Sequence, residues 1–294
     1  MINFMKFKWL YFLLSAIVLV PGIISLLLFG LKPSIDFTGG SLLEYRFDQK
    51  VDQSKIESVL KDKKINYSSI QLSGENTYLI RAASLDAQMG AVIKTALEEQ
   101  LKQTPQEFRF ENVGPILGQE LLIKTFMAIL LAAGFIMSYV GYAFKNLRFG
   151  ICAILAMFHD SFVMLGIFSL LGHFAGVEVD TLFVTAMMTI LSFSVHDTVV
   201  VYDRIRESQK KMPGVSLVDL INKAVTETMS RSLNNSLTII FMLLALFLLG
   251  GDTVKWFTFA LLIGTISGTY SSTFTAAPLL VIWDIIEKRG KGKG

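Results

Sequence analysis

Ionisable side chains are rare in the long apolar stretches of this chain. The ones that stand there include two adjacent His–Asp pairs, His159–Asp160 and His196–Asp197. A charge placed among hydrocarbon side chains is costly, so such a residue defaults to a functional hypothesis. Asp197 borders a stripe in "TLFVTAMMTILSFSVHDTVVVYDRIRE", residues 181–207. There Thr185, Thr189, Ser192 and His196 recur at i, i+4, i+7 and i+11, one face of a helix, with Ser194 a turn from Asp197. Such a stripe calls for a partner helix or a file of water rather than lipid. Two readings of Asp197 stay open on these residues: proton carriage, or a structural carboxylate bonded to a neighbouring helix. Further on, Arg231, Asn234, Asn235 and Thr238 share a face at i, i+3, i+4 and i+7. Arg231 either snorkels to the interface or reaches inward to pair with Asp197, which would make a pair that protonation can switch. Neighbours on a helix point about 100° apart, so His159 and Asp160 need not act together, and a structural role suits them better than proton transfer. Two His–Asp pairs invite a metal reading. No His-Glu-x-x-His and no histidine at i+4 supports it, so neither metal nor cofactor is expected.

The elements that must hold these residues are membrane spans. The chain has 294 residues, 52% of them hydrophobic and 17% charged, with mean hydropathy +0.54. Soluble domains carry nearer a quarter charged residues. Here the charges cluster, as in a chain that uses both lipid and water as solvent. Six spans are expected: Trp9–Phe29, Ile123–Phe144, Phe149–Leu171, Leu182–Val201, Leu237–Leu249 with its flanks, and Trp256–Trp283. The first is too long for a signal-peptide core and reads as an uncleaved anchor. In the last, Gly264, Gly268, Ser272 and Ala276 form a small-residue ridge for close helix packing.

Lysine and arginine fill one set of loops: Lys6 and Lys8, Lys145 and Arg148, the run from Arg204 to Lys223, and the tail from Lys288 to Lys293. By the positive-inside rule both termini are cytoplasmic and residues 31–122 lie outside. That segment alternates as strand, amphipathic helix, hairpin, helix and strand, from Ser41 to Val113. The order β-α-β-β-α-β is that of a ferredoxin-like α+β domain. The expected organisation is a first span at 1–30, the outer domain at 31–122, five further spans at 123–287 and a basic tail at 288–294. A net charge of +3 gives no reason for nucleic acid as a partner, and a single cysteine, Cys152, excludes an intrachain disulfide.

Four blocks in order resemble the SecF family, the smaller subunit of the bacterial SecD–SecF accessory complex. They are "SIDFTGGSLLEYRF" (34–47), "VGPILGQELL" (113–122), "HDTVVVYDRIRE" (196–207) and "SRSLNNSLT" (230–238). His196 stands where the family more often has asparagine. The resemblance implies a polytopic helical membrane protein that supplies one of two six-helix repeats, with SecD supplying the other. It implies a multi-pass protein of the bacterial cytoplasmic (inner) membrane, in which the proton-motive force helps a polypeptide emerge from the SecYEG translocon. Asp197 and Arg231 match the family's proton-pathway residues. His196, and more weakly Asp160 and His159, are candidates beside them. The resemblance also implies membership of the resistance-nodulation-division superfamily, and the alternatives are half of a small-molecule exporter of that superfamily, a membrane enzyme, and a structural scaffold. No nucleophile–base pair at recognisable spacing favours the enzyme.

Overall fold

A computed structural model describes residues 3–144 and 146–291. Lys145 and Lys293, both used in the charge reading, lie outside the described residues. In chain order a single 3-10 turn (Phe4–Phe7) leads into α1 (Lys8–Phe29), followed by the short α2 (Ile35–Thr38), β1 (Gly40–Arg46), α3 (Gln53–Asp62), β2 (Tyr67–Gly74), β3 (Thr77–Ala82), α4 (Ala87–Leu101) and β4 (Gln106–Val113). Long helices follow: α5 (Pro115–Phe144), α6 (Leu147–Ala175), α7 (Thr181–Lys211), α8 (Leu217–Leu249) and α9 (Asp252–Ser271). A π-helical turn (Ser272–Ala276) then leads into α10 (Ala277–Lys291). The chain divides into two units, Pro33–Phe126 and the remainder.

In the smaller unit, alternation along β1 sends Leu43, Tyr45 and Phe47 to one face. They pack there with Tyr78 and Ile80 of β3 and with the inward stripes of α3 (Ile56, Val59, Leu60) and α4 (Ile93, Ala96, Leu97). The antiparallel sheet has the order β2-β3-β1-β4, so β2 and β4 are its edges. Both helices start at an aspartate cap. Asp52 accepts from the Ser54 amide (3.1 Å) and Asp86 from the Met89 amide (2.7 Å). The β2–β3 turn is tighter than the sequence suggested, because β2 runs on to Gly74 and Asn76 takes a left-handed φ of +58°. The Gly39–Gly40 pair has φ of +72° and +121°, and a Cβ on either would meet backbone: Pro115 Cα at 2.7 Å or Ala82 O at 2.8 Å. No other residue fits that corner without strain.

The Asp52 carboxyl sits below the ordinary carboxylate range, chiefly because the Ser54 amide donates to it. A depressed carboxyl contributes stability above its unfolded pKa and loses it as pH falls through the lower folded value. The amides of α3 should therefore lose hydrogen-exchange protection only at pH values below the ordinary aspartate range. Asp52→Asn should flatten that acid-side loss.

In the larger unit, α1 and α6 run parallel in a fixed register, each residue of α1 facing the residue 144 further on. Ser15 meets His159 (3.0 Å), Ser25 meets Ser169 (2.8 Å) and Lys32 Nζ donates to the Gly176 carbonyl (3.4 Å). At the crossing Gly22 faces Gly166, and a Cβ built on Gly166 would lie 2.6 Å from Gly22 Cα. Small residues let helices approach this closely in lipid. The expected ridge of α9 packs on α7 likewise: a Cβ on Gly264 would fall 2.3 Å from Ile190 Cγ1.

Among the described residues, five helices are long and apolar enough to cross a membrane: Phe4–Phe29, Pro115–Phe144, Leu147–Ala175, Thr181–Lys211 and Leu217–Leu249. The chain is an integral membrane protein. The stretch expected as the sixth span is broken into α9, the π turn and α10. α8, with 33 residues, is about 50 Å long, well beyond a hydrocarbon core of about 30 Å, so its charged first turns extend past the apolar layer. Those turns are tied to the end of α7 by Arg204, which pairs with Glu227 (2.6 Å) and with Glu207.

Candidate functional site: two caged carboxylates

Asp160 of α6 is 1% exposed, and both of its oxygens are surrounded by donors. Ser194 of α7 and Ser271 of α9 donate to Oδ2 at 2.5 Å, and Ser267 of α9 donates to Oδ1 at 2.6 Å. His159 Nδ1 lies 3.0 Å from the same Oδ1. Although neighbours on a helix point apart, the His159 imidazole lies back against its neighbour's carboxylate and the two side chains meet. Its Nε2 is held by Ser15, which the parallel seam of α1 and α6 places there, and its ring stacks on Tyr270 at 6.3 Å.

Ser15, His159 and Asp160 thus reproduce the connectivity of a hydrolytic triad. The surroundings do not suit that chemistry. Ser15 is buried in the middle of α1, where backbone amides are engaged in helix bonds and cannot form an oxyanion hole. Asp160 is fully occupied by three further hydroxyls. The arrangement can hold or pass a proton.

Asp197 of α7 is 6% exposed. Ser232 of α8 lies 2.9 and 2.7 Å from its two oxygens, and Ser272, the first residue of the π turn, donates to Oδ2 at 2.6 Å. Arg231 does not join it. The guanidinium side chain is exposed, and among the described residues no cation pairs with Asp197. One residue along α8 turns the chain by about 100°, so Ser232 faces inward and Arg231 outward.

The two polar faces expected from the sequence are both present and both exposed: Thr185, Thr189, Ser192 and His196 on α7, and Arg231, Asn234, Asn235 and Thr238 on α8. His196 lines a cleft of about 350 Å³ with Ser192 and Val195 of α7 and Phe135, Ile136 and Tyr139 of α5. It points away from the buried carboxylate beside it in sequence. No cluster of three or more metal-ligating side chains occurs among the described residues.

The sequence points to Ser194 beside Asp197 and places Ser272 in a packing ridge, but gives no part to Ser15, Ser267 or Ser271. The signal for Ser267, Ser271 and Ser272 is the density of hydroxyls in "GTISGTYSSTFTAAP" (264–278), inside a segment otherwise suited to lipid. π turns are rare and occur frequently at functional sites, and this one is held from α7 by Tyr202, whose hydroxyl donates to the Ala276 carbonyl at 2.8 Å.

These features define a polytopic membrane protein with two buried carboxylates in its helical core and a small α+β unit. Residues 92–285 match the family described as "Protein export membrane protein SecD/SecF, C-terminal", and residues 24–51 match the "SecD/SecF GG Motif". That second match takes in the Gly39–Gly40 corner. The chain is 42% identical to the protein translocase subunit SecF of Thermobaculum terrenum, covering 97% of this chain and 94% of that one. It is 38% identical to SecF of Anaerolinea thermophila, over 98% and 96%. It also resembles the crystal structure of SecDF, a translocon-associated membrane protein from Thermus thermophilus, with TM-score 0.85 and 30% identity. That match covers 96% of this chain but only 38% of the other. The chain belongs to the SecD/SecF family, as a protein translocase subunit of the SecF type.

Proposed function

We propose that this subunit works with a SecD partner in the bacterial cytoplasmic (inner) membrane, using the proton-motive force to assist polypeptides leaving the SecYEG translocon. In this reading α9, the π turn and α10 make the sixth span. Both termini lie in the cytoplasm, and the α+β unit, a ferredoxin-like domain, stands outside to meet the emerging chain. The subunit is a transport component rather than an enzyme, and it carries no cofactor.

The observation that carries the reading is Asp197, buried between hydroxyls of α8 and the π turn, directly behind two exposed polar faces on apolar helices. Polar faces in hydrocarbon are costly unless covered. A second helical repeat laid against α7 and α8 would cover them and would bring Arg231 and His196 into an interior. The six-helix repeat plan of the superfamily supplies such a mate. Protonation of Asp197 would then reset its bonds to Ser232 and Ser272, moving α8 and the π turn relative to α7.

The test is proton flux and polypeptide translocation in vesicles holding the chain and its SecD partner. Asp197→Asn should cut both by about a hundredfold or more, the usual scale for removing a positioned acid–base group, with complex formation intact. Full activity of Asp197→Asn would leave the carboxylate structural and refute the reading.

A further inference from the structure

We propose that Asp160 is a second proton-carrying carboxylate of this subunit, and that Ser271 and Ser272 link its protonation to that of Asp197. The proposal rests on the reading of Asp197 above and extends the site to a residue on another helix.

Consecutive residues of one helix address the two carboxylates: Ser271 donates to Asp160 Oδ2 and Ser272 to Asp197 Oδ2. Each serine also has a second acceptor already in place. Ser271 Oγ lies 3.3 Å from the Gly268 carbonyl, and Ser272 Oγ lies 3.1 Å from the Thr269 carbonyl. A hydroxyl has one proton to donate and can serve only one acceptor at a time.

When Asp160 takes a proton at Oδ2, the new carboxyl O–H donates to Ser271 Oγ, and the Ser271 O–H turns to Gly268 O. Ser272 makes the same exchange between Asp197 and Thr269 O. Loss of the proton returns each hydroxyl to its carboxylate, and neither serine gains or loses a proton. Gly268 and Thr269 are adjacent in the last turn of α9, where it enters the π turn, so either exchange perturbs the same few peptide groups. Two side-chain hydroxyls, Thr198 Oγ1 of α7 and Thr275 Oγ1 of the π turn, are buried with no partner. Buried orphan polar groups call for a specific explanation.

The groups facing each carboxylate are few. Asp160 meets His159 of its own helix, Ser194 of α7, and Ser267 and Ser271 of α9, with Tyr270 stacked behind the imidazole and Ser15 of α1 beyond it. Asp197 meets Ser232 of α8 and Ser272, while His196 and Arg231 are turned outward. His159 is therefore the one ionisable group among the described residues that bonds either carboxylate, and it stands as proton donor or acceptor to Asp160.

The experiment is pH-difference infrared spectroscopy of the full chain in lipid nanodiscs, reading the carboxyl C=O stretch. Asp160→Asn and Asp197→Asn assign the bands. The expected result is a band for each aspartate, with the Asp160 midpoint moving by about one pH unit in Asp197→Asn, the scale at which two sites titrate as a coupled pair. Ser271→Ala and Ser272→Ala, made singly, should each displace both bands, whereas Ser267→Ala should displace only that of Asp160. Ser271→Thr, which keeps the hydroxyl, should restore the wild-type spectrum. A silent Asp160, or bands that respond only to the serine bonded to their own aspartate, overturns the inference whatever Asp197→Asn does to proton flux. Unchanged flux in Asp197→Asn overturns the transport reading whatever the infrared bands do.

Discussion

Gly166→Leu is expected to prevent stable packing of α1 on α6 and to yield little folded protein. A single Cβ at this position falls 2.6 Å from Gly22 Cα and 3.0 Å from Gly22 C, both backbone atoms with no rotamer to escape into. Overpacking a tight contact costs about 1–3 kcal/mol for a small addition, and leucine adds three further carbons. The helices must part, and the seam loses its other contacts with the crossing: the bond between Ser25 and Ser169 and the one between Ser15 and His159. The check is the thermal midpoint of purified protein in lipid, compared for wild type, Gly166→Ala and Gly166→Leu. The alanine variant should be lowered and the leucine variant lowered further or absent. Wild-type midpoints for both would show that the seam is not closely packed.

Asp160→Ala should cost far more stability than Asp160→Asn. Alanine removes the acceptor for four donors in a site that is 1% exposed. Ser271 already has the Gly268 carbonyl within reach, whereas Ser194 and Ser267 must leave their present rotamers to find another acceptor. Leaving a buried donor without an acceptor costs about 1–3 kcal/mol. Asparagine keeps the shape and one carbonyl oxygen, and hydroxyls can reverse to accept from its amide. Asp197→Ala, facing only Ser232 and Ser272, should fall between wild type and Asp160→Ala. Thermal unfolding of the three variants gives the order directly, and equal midpoints for Asp160→Ala and Asp160→Asn would disprove the cage as a source of stability.

What was legible in the sequence had a strong period behind it. Alternation placed β1 and β4, and the 3.6-residue spacing of Ile56, Val59 and Leu60 placed α3, because burial of one face leaves a regular trace. The small-residue ridge of α9 was legible for the same reason. The cage was not, because serine is ambiguous in an apolar helix: it packs like alanine or donates to its own helix carbonyl as readily as it reaches a neighbour. Which of these it does depends on helix crossings, and those were hidden. Nothing in the spacing of Ser15 and His159 announces a register of 144 residues. Arg231 shows the opposite difficulty. Its approach to Asp197 was plausible from the helix order, but rotation about α8 gives the inward place to Ser232.

The exposed stripe of α7 has a consequence for how the chain enters a bilayer. Thr185 donates to the Thr181 carbonyl and Thr189 to the Thr185 carbonyl, at 3.0 and 2.8 Å. Their donors are already spent on their own helix, so to hydrocarbon these two residues present mainly methyl groups. The transfer penalty of the outward face then rests on Ser192, midway along the span expected at 182–201, and on His196, nearer its end. α7 thus enters the bilayer with two uncovered polar side chains on this face rather than four, and it is these that a mating helix would have to satisfy.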